Sequence, residues 1–238
     1  KNFVLFGNWQ KRGVMMTNEI KRDAATILPK IRMMLDAEGK VNVKLTDDPA
    51  VVVFENFEDI SFDDITLPAT FGIKNIGSIS CEKINSDKAL AGKIAIVTGS
   101  AQGFGAGIAE FLASQGASVC IVDMNADGAA KEAEKIAAEF GTPVISVSAN
   151  VTDEESVQNM INETVCAFGG LDIFVNNAGI VRAGSLEEMN RRDFELVTSV
   201  DYTAFFLCTK YAIAPMKAQR SINPAYMADI IEINSKSG

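Results

Sequence analysis

Beyond Leu90 the chain alternates short apolar runs with longer stretches in which apolar residues recur every three or four positions. Ile94–Val97, Val119–Val122, Val144–Val147, Ile173–Val175 and Ile230–Ile233 are rich in β-branched residues. They lack the strict alternation of a half-exposed strand, so the pattern predicts strands buried on both faces. Between them, Ala129, Ala133, Ile136, Ala137 and Phe140 share one helical face, as do Val157, Met160, Ile161, Val165 and Phe168. Thr152 and Glu155 have the spacing of a capping box at the start of the second helix. Strand and helix in turn, with short links, predict βαβ units and a doubly wound parallel α/β sheet over residues 91–238.

Residues 1–90 follow no such rhythm and predict a small α+β appendage of unknown role. Asn18–Asp36 has helical character that Pro29 should end or kink. Val41–Leu45 and Val51–Glu55 predict strands joined by the turn-like Thr46-Asp47-Asp48-Pro49. The acidic stretch from Glu55 to Asp64 predicts a solvated surface. Met15-Met16 and Met33-Met34 predict adaptable core packing.

Charge divides the chain at the same place. Residues 1–90 carry 12 basic and 13 acidic side chains, and residues 91–238 carry 10 and 18, within a total of −9. A nucleic-acid surface would need a basic patch, so no nucleic-acid partner is expected. The sequence has no histidine, which excludes His-ligated metals and imidazole-based triads. Cys81, Cys120, Cys166 and Cys208 are widely spaced and include no C-x-x-C, as expected of free thiols in a reducing, cytoplasmic setting. No apolar run would span a bilayer and no signal peptide opens the chain, so no membrane partner is expected. Lys1 at the start and Gly238 directly after a strand-like run read as the ends of a fragment.

The strongest local signal is Val97-Thr98-Gly99-Ser100-Ala101-Gln102-Gly103-Phe104-Gly105, after the first predicted strand of the α/β region. It opens a helix whose buried face should include Ile108, Phe111 and Leu112. Glycine is required where the backbone turns tightly and a pyrophosphate must approach main-chain N–H groups at a helix N-terminus. Twenty residues beyond Gly103, Asp123 ends the second strand, where a carboxylate can accept both ribose hydroxyls. The same carboxylate would repel a 2′-phosphate, and neither Gln102 nor Met124-Asn125 supplies a cation. NAD is therefore expected over NADP.

At these residues the chain resembles the short-chain dehydrogenase/reductase family, whose fold is Rossmann-like. The T-G-x-x-x-G-F-G spacing at Thr98–Gly105 is that family's fingerprint, and Asn176-Asn177-Ala178-Gly179 is its second signature. The resemblance implies that Gly99, Gln102, Gly103, Phe104, Gly105 and Asp123 hold the cofactor. It adds Asn150 and Val151 at the adenine, and Asn177, Ala178 and Gly179 along the adenosine half. Ile231–Gly238 and Phe206–Tyr211 are similar to the group of bacterial sorbitol-6-phosphate 2-dehydrogenases within the family. That likeness implies hydride exchange between NAD and a polyol or sugar-alcohol phosphate, and a homo-oligomer when intact.

In the family a Tyr is the general acid/base, a Lys four residues on lowers its pKa, and a Ser bonds the reacting oxygen. Motif alignment puts Ser235 at the Ser position, in S-x-x-G register, ahead of Ser237; its alternative is a plain strand-end hydroxyl. The family's relay Asn falls on Asp201, which when ionised only accepts hydrogen bonds; its alternative is to cap or solvate a helix turn. Tyr202, Tyr211 and Tyr226 are followed four residues later by Phe206, Pro215 and Ile230, so none forms Tyr-x-x-x-Lys. The resemblance implies that this pair and the last two strands lie beyond Gly238, leaving the sheet C-terminally incomplete. Two other readings stand beside the sugar-phosphate one. One is another short-chain enzyme with a polyol or 3-oxoacyl substrate; the other is a non-catalytic nucleotide-binding protein.

Overall fold

A computed structural model describes residues 17–48, 50, 52–182, 184–185 and 187–234. Helix α1 (Asn18–Leu35) is capped by Thr17, whose hydroxyl accepts the Ile20 N–H. It runs through Pro29 without a break, contrary to expectation. Leu28, Ile31 and Met33 on either side of the proline are buried, and that burial offsets the hydrogen bond the proline cannot make.

Strands β1 (Val41–Thr46), β2 (Val53–Phe54), β3 (Ala69–Ile73) and β4 (Gly77–Lys83) form a sheet in the order β1-β4-β3-β2. The two predicted strands therefore lie at opposite edges rather than side by side. β4 pairs antiparallel with both β1 and β3, while β2 runs parallel to β3. The acidic stretch forms two short 3-10 turns at Phe57–Asp59 and Phe62–Asp64, with its carboxylates outward and Ile60 buried. Met33 is in the core and Met34 is 40% exposed, so the pair divides between core and surface. Met15 and Met16 lie outside the described residues.

The second sheet is parallel, in the order β7-β6-β5-β8-β9. Its strands are β5 (Ile94–Thr98), β6 (Ser118–Asp123), β7 (Val144–Ser148), β8 (Ile173–Asn176) and β9 (Asp229–Glu232). Its helices are α2 (Gly103–Ser114), α3 (Ala126–Phe140), α4 (Glu154–Phe168), α5 (Arg191–Val197) and α6 (Ala204–Ile222). The doubly wound Rossmann-like expectation is met. β5, β6 and β8 are buried along almost their whole length. β7 and β9 stand at the edges and are only partly covered, so expecting every strand to be buried on both faces was wrong for these two.

Two local expectations fail for identifiable reasons. The Thr152 hydroxyl donates to Asn150 Oδ1, and Asp153 caps α4 instead by accepting the Ser156 N–H at 2.7 Å. Helix α2 packs through Gly105, Ala106, Ala109, Leu112 and Ala113, a small-residue stripe that brings it close to the sheet. Phe111 falls off that stripe and is 63% exposed.

The core has two parts. Ala95, Val97, Val119, Ile121 and Val175 pack beneath α2 and α3. On the other face of the sheet, Ile96, Cys120, Val122 and Phe174 meet α4 and α6 through Met160, Val165, Cys208 and Ala212. This second cluster continues without a gap into Leu28 and Ile31 of α1, Val41 and Val43 of β1, and Ile79 of β4. At the centre of the seam Arg32 is fully buried and forms a forked pair with Asp172, at 3.2 and 2.8 Å. Arg32 also donates to the Gly39 and Gly92 carbonyls and to the Tyr226 hydroxyl. Asp172 accepts in addition from the Ile94 N–H and from Gln219, each at 2.8 Å. Burial by itself would lower the Arg32 pKa; the attraction of Asp172, and then of Tyr226, outweighs it and raises the value.

Candidate dinucleotide site

The site lies where β5, β6 and β8 end, as expected at the carboxyl edge of a doubly wound sheet. Gly99 leaves β5 with φ of 63° and Gly103 enters α2 with φ of 62°, both in the left-handed region that favours glycine. A Cβ on Gly99 would stand 2.8 Å from the Ala178 Cα, and one on Gly105 would overlap the Gly99 carbonyl oxygen. These two positions let the loop, the helix and the Asn176–Gly179 segment close on one another. Gln102 is the extended N-cap residue of α2 and its side chain makes no capping bond. The first turn of α2 holds no acidic residue, so its N–H groups and positive dipole end remain suited to a phosphate. Phe104 projects from that turn at 87% exposure.

Hydroxyl groups hold the loop from below. Thr98 Oγ1 accepts both the Asn177 and the Ala178 N–H at 3.0 Å. The Asn177 side chain answers by donating to the Thr98 and Gly99 carbonyls, at 2.9 and 3.1 Å. Ser100 is fully buried, donates to the Val97 carbonyl and accepts the Val122 N–H. Sequence reasoning did not single out Thr98 or Ser100 as site residues. Their signal was a hydroxyl on either side of the first glycine at a strand end, where side-chain oxygens commonly substitute for a finished ladder.

Asp123 ends β6 beside this loop. One carboxylate oxygen accepts the Ala101 N–H at 3.2 Å and the other accepts the Asn125 N–H at 3.0 Å. A carboxylate has about four acceptor positions, so both oxygens can still take a hydroxyl. Asn125 then caps α3 through the Gly128 N–H. Farther along the edge, Asn150 turns its amide oxygen onto Thr152 and Val151 is buried.

Asp201 sits in a π-helical turn, Thr198–Thr203, between α5 and α6. Its Oδ1 accepts the Ile180 N–H at 2.9 Å, and a Cβ on Gly179 would lie 3.5 Å from the same atom. The structure thus brings Gly99, Gln102, Gly103, Gly105, Asp123, Asn177, Ala178 and Gly179 around one loop, with Asp201 braced against its far end. Ser235 lies outside the described residues. Among the described residues no group of three or more side chains could hold a metal ion, and no helix is long and apolar enough to cross a membrane.

The glycine cradle and open helix N-terminus fit a dinucleotide pyrophosphate. A family model described as short chain dehydrogenase matches residues 93–238. The chain is 37% identical over 155 residues to a trans-4-hydroxycyclohexanecarboxylate dehydrogenase of Sinomonas cyclohexanicum, covering 62% of this chain and 60% of that protein. It is 40% identical over 131 residues to a 3-oxoacyl-(acyl-carrier-protein) reductase of Aquifex aeolicus, covering 55% and 53%. Identity to a D-threitol dehydrogenase of Mycolicibacterium smegmatis is 36% over 124 residues, covering 52% and 47%. A crystal structure of a short-chain type dehydrogenase/reductase from Mycobacterium marinum superposes with a TM-score of 0.57 at 30% identity, covering 63% of this chain and 58% of that one. The chain spans about half the length of the curated relatives it matches.

Proposed function

The chain belongs to the short-chain dehydrogenase family, and from that premise we propose that it forms the cofactor-binding part of an NAD-dependent oxidoreductase acting on a sugar-alcohol phosphate such as sorbitol 6-phosphate. The observation that carries the cofactor half of this reading is Asp123. Its carboxylate is fixed beside the glycine loop by the Ala101 N–H, and no cation stands at Gly99–Gly105 or Met124-Asn125 to receive a 2′-phosphate. The bound dinucleotide would supply the hydride acceptor. The protein's part is to seat the pyrophosphate on the α2 N-terminus, to hold the ribose through Asp123, and to fix the Asn177–Gly179 wall through Thr98. Asp201 positions the segment after that wall by holding the Ile180 N–H. Ser235 would bond the reacting oxygen.

The substrate half rests on the Ile231–Gly238 and Phe206–Tyr211 likenesses. The named relatives also act on alcohols and 3-oxoacyl groups, which keeps another polyol or a 3-oxoacyl thioester as the second reading. An acidic carrier protein would want a basic docking patch, and the excess of acidic residues beyond Leu90 disfavours it. The four cysteines are free, as suits a reducing compartment; they are also buried, and loss of hydration pushes each thiol up to about 12, which keeps them unreactive.

Titration of the intact protein should show NADH binding at least tenfold tighter than NADPH, and Asp123→Ala should narrow that gap. Equal affinities in the unmutated protein would overturn the NAD assignment. Turnover of sorbitol 6-phosphate against threitol and a 3-oxoacyl thioester, with NAD or NADH as the reaction requires, decides the substrate.

A further inference from the structure

Away from the dinucleotide loop, the four-stranded sheet carries a cavity of about 540 Å³ at its β2–β3 edge. That volume falls in the range of about 300–1,000 Å³ typical of small-molecule sites. Residues between Val52 and Phe71 supply its described lining, and none of these belongs to the β5–β9 unit.

Its chemistry is one-sided. Phe54 and Phe71, in edge-to-face contact at 5.9 Å between centroids, give it aromatic surface. Asp59, Asp64, Ser61 and Thr70, each of them exposed, bring oxygen to its solvent side, and its described lining includes no lysine, arginine or amide side chain. Asp59 is held in place because its Oδ2 accepts both the main-chain N–H and the side-chain amide of Asn56, at 3.0 and 3.3 Å. The Asp64 carboxylate has no hydrogen bond or ion pair to another described residue. Lys74, on the strand side, is already paired with Glu55 at 2.8 Å and does not neutralise these two carboxylates.

We propose that this cavity is a second ligand site, independent of the dinucleotide, and that it takes a small organic ammonium ion with an apolar body. An ammonium group has three donors and no acceptor, which matches a lining richer in acceptors than in donors. Its charge meets the two carboxylates, while its carbon skeleton covers the apolar wall that includes Val52, Ile65 and Ala69. A phosphate or carboxylate would be repelled by Asp59 and Asp64. A neutral polyol could use the hydroxyls but would leave the negative potential of Asp59 and Asp64 unanswered.

The test is calorimetric titration of the full chain with cyclohexylammonium, cyclohexanol and sorbitol. Cyclohexylammonium should bind at least tenfold tighter than cyclohexanol or sorbitol at low salt, and added sodium chloride should weaken it. Asp64→Asn should reduce that affinity at least fivefold, with the melting temperature and NADH affinity unchanged, because the Asp64 carboxylate holds no other described residue. Ala69→Leu, which fills the cavity, should weaken the ammonium ion and the alcohol alike. Equal binding of the ammonium ion and the alcohol, preferential binding of sorbitol, indifference to Asp64→Asn, or no binding at all would overturn the proposal.

Discussion

The two sheets solve the same burial problem with different material. In the five-stranded sheet the middle strands are sandwiched between α2 and α3 on one face and α4 and α6 on the other, so every residue of β5, β6 and β8 but Asp123 is buried and most are apolar. In the four-stranded sheet β1 alternates, with Val41, Val43 and Leu45 inward and Lys44 outward. Among the described residues its apolar face has α1 as its own covering helix. It also borrows one, packing onto α4 of the other sheet. The parallel sheet thus carries helices on both faces, whereas the smaller sheet shares a helical layer with its neighbour. Arg32 and Asp172 pin the seam, since each would be a buried charge without the other.

Removing Arg32 should therefore have the largest effect. Arg32→Ala leaves Asp172 buried beside the start of β5 without its cation, a loss of about 3–5 kcal/mol. Urea titration should show a lowered midpoint with both sheets still unfolding in one transition. Two separated transitions in the unmutated protein would break the comparison, because the smaller sheet would then be standing alone. Next comes Gly105→Ala, where the added methyl overlaps the Gly99 carbonyl and must push helix and loop apart. NADH affinity should fall at least tenfold, about 1.4 kcal/mol, with the Arg32 seam intact.

Asp201 gives a smaller effect. Asp201→Ala frees the Ile180 N–H and should cost about 1 kcal/mol, whereas Asp201→Asn keeps an acceptor and should leave stability and turnover unchanged or turnover higher. A large loss of turnover in the Asn variant, with folding intact, would give the carboxylate a role beyond holding the loop. Smallest of all is Phe111→Ser on the outer face of α2, which should change stability by no more than about 0.5 kcal/mol in a thermal melt. A larger change would mean that Phe111 is covered in solution.

The contrast between the sheets also explains how much could be read from the chain. Ile94–Val97 and Ile173–Val175 announce themselves because burial on both faces leaves continuous β-branched runs. β3 and β4 escaped notice because Ala69–Ile73 and Gly77–Lys83 mix Gly, Ser, Thr and Lys with a few apolar residues, as a sheet covered on one side allows. The glycine loop, Asp123 and the Asn177 segment were legible because tight backbone approach admits few residue types. Arg32 was not, since its partner is 140 positions away and nothing local distinguishes a buried arginine from a solvated one. Thr98 and Ser100 were missed for the opposite reason: hydroxyls at a strand end are too common to stand out.

The π-helical turn at Thr198–Thr203 fixes how the chain tolerates length changes. Such a turn holds one residue more than an α-helical turn. Deleting Tyr202 or Thr203 would remove that extra residue and let α5 and α6 run on as one regular helix with the same number of turns. The flanking segments would then keep their phase, with Cys208 and Ala212 still in the core. A deletion in the regular turns of α6 would instead rotate one side against the other by about 100° and slide it by about 1.5 Å. The irregular turn is slack in the rod: it can give up a residue locally, at the expense of how Asp201 meets Ile180.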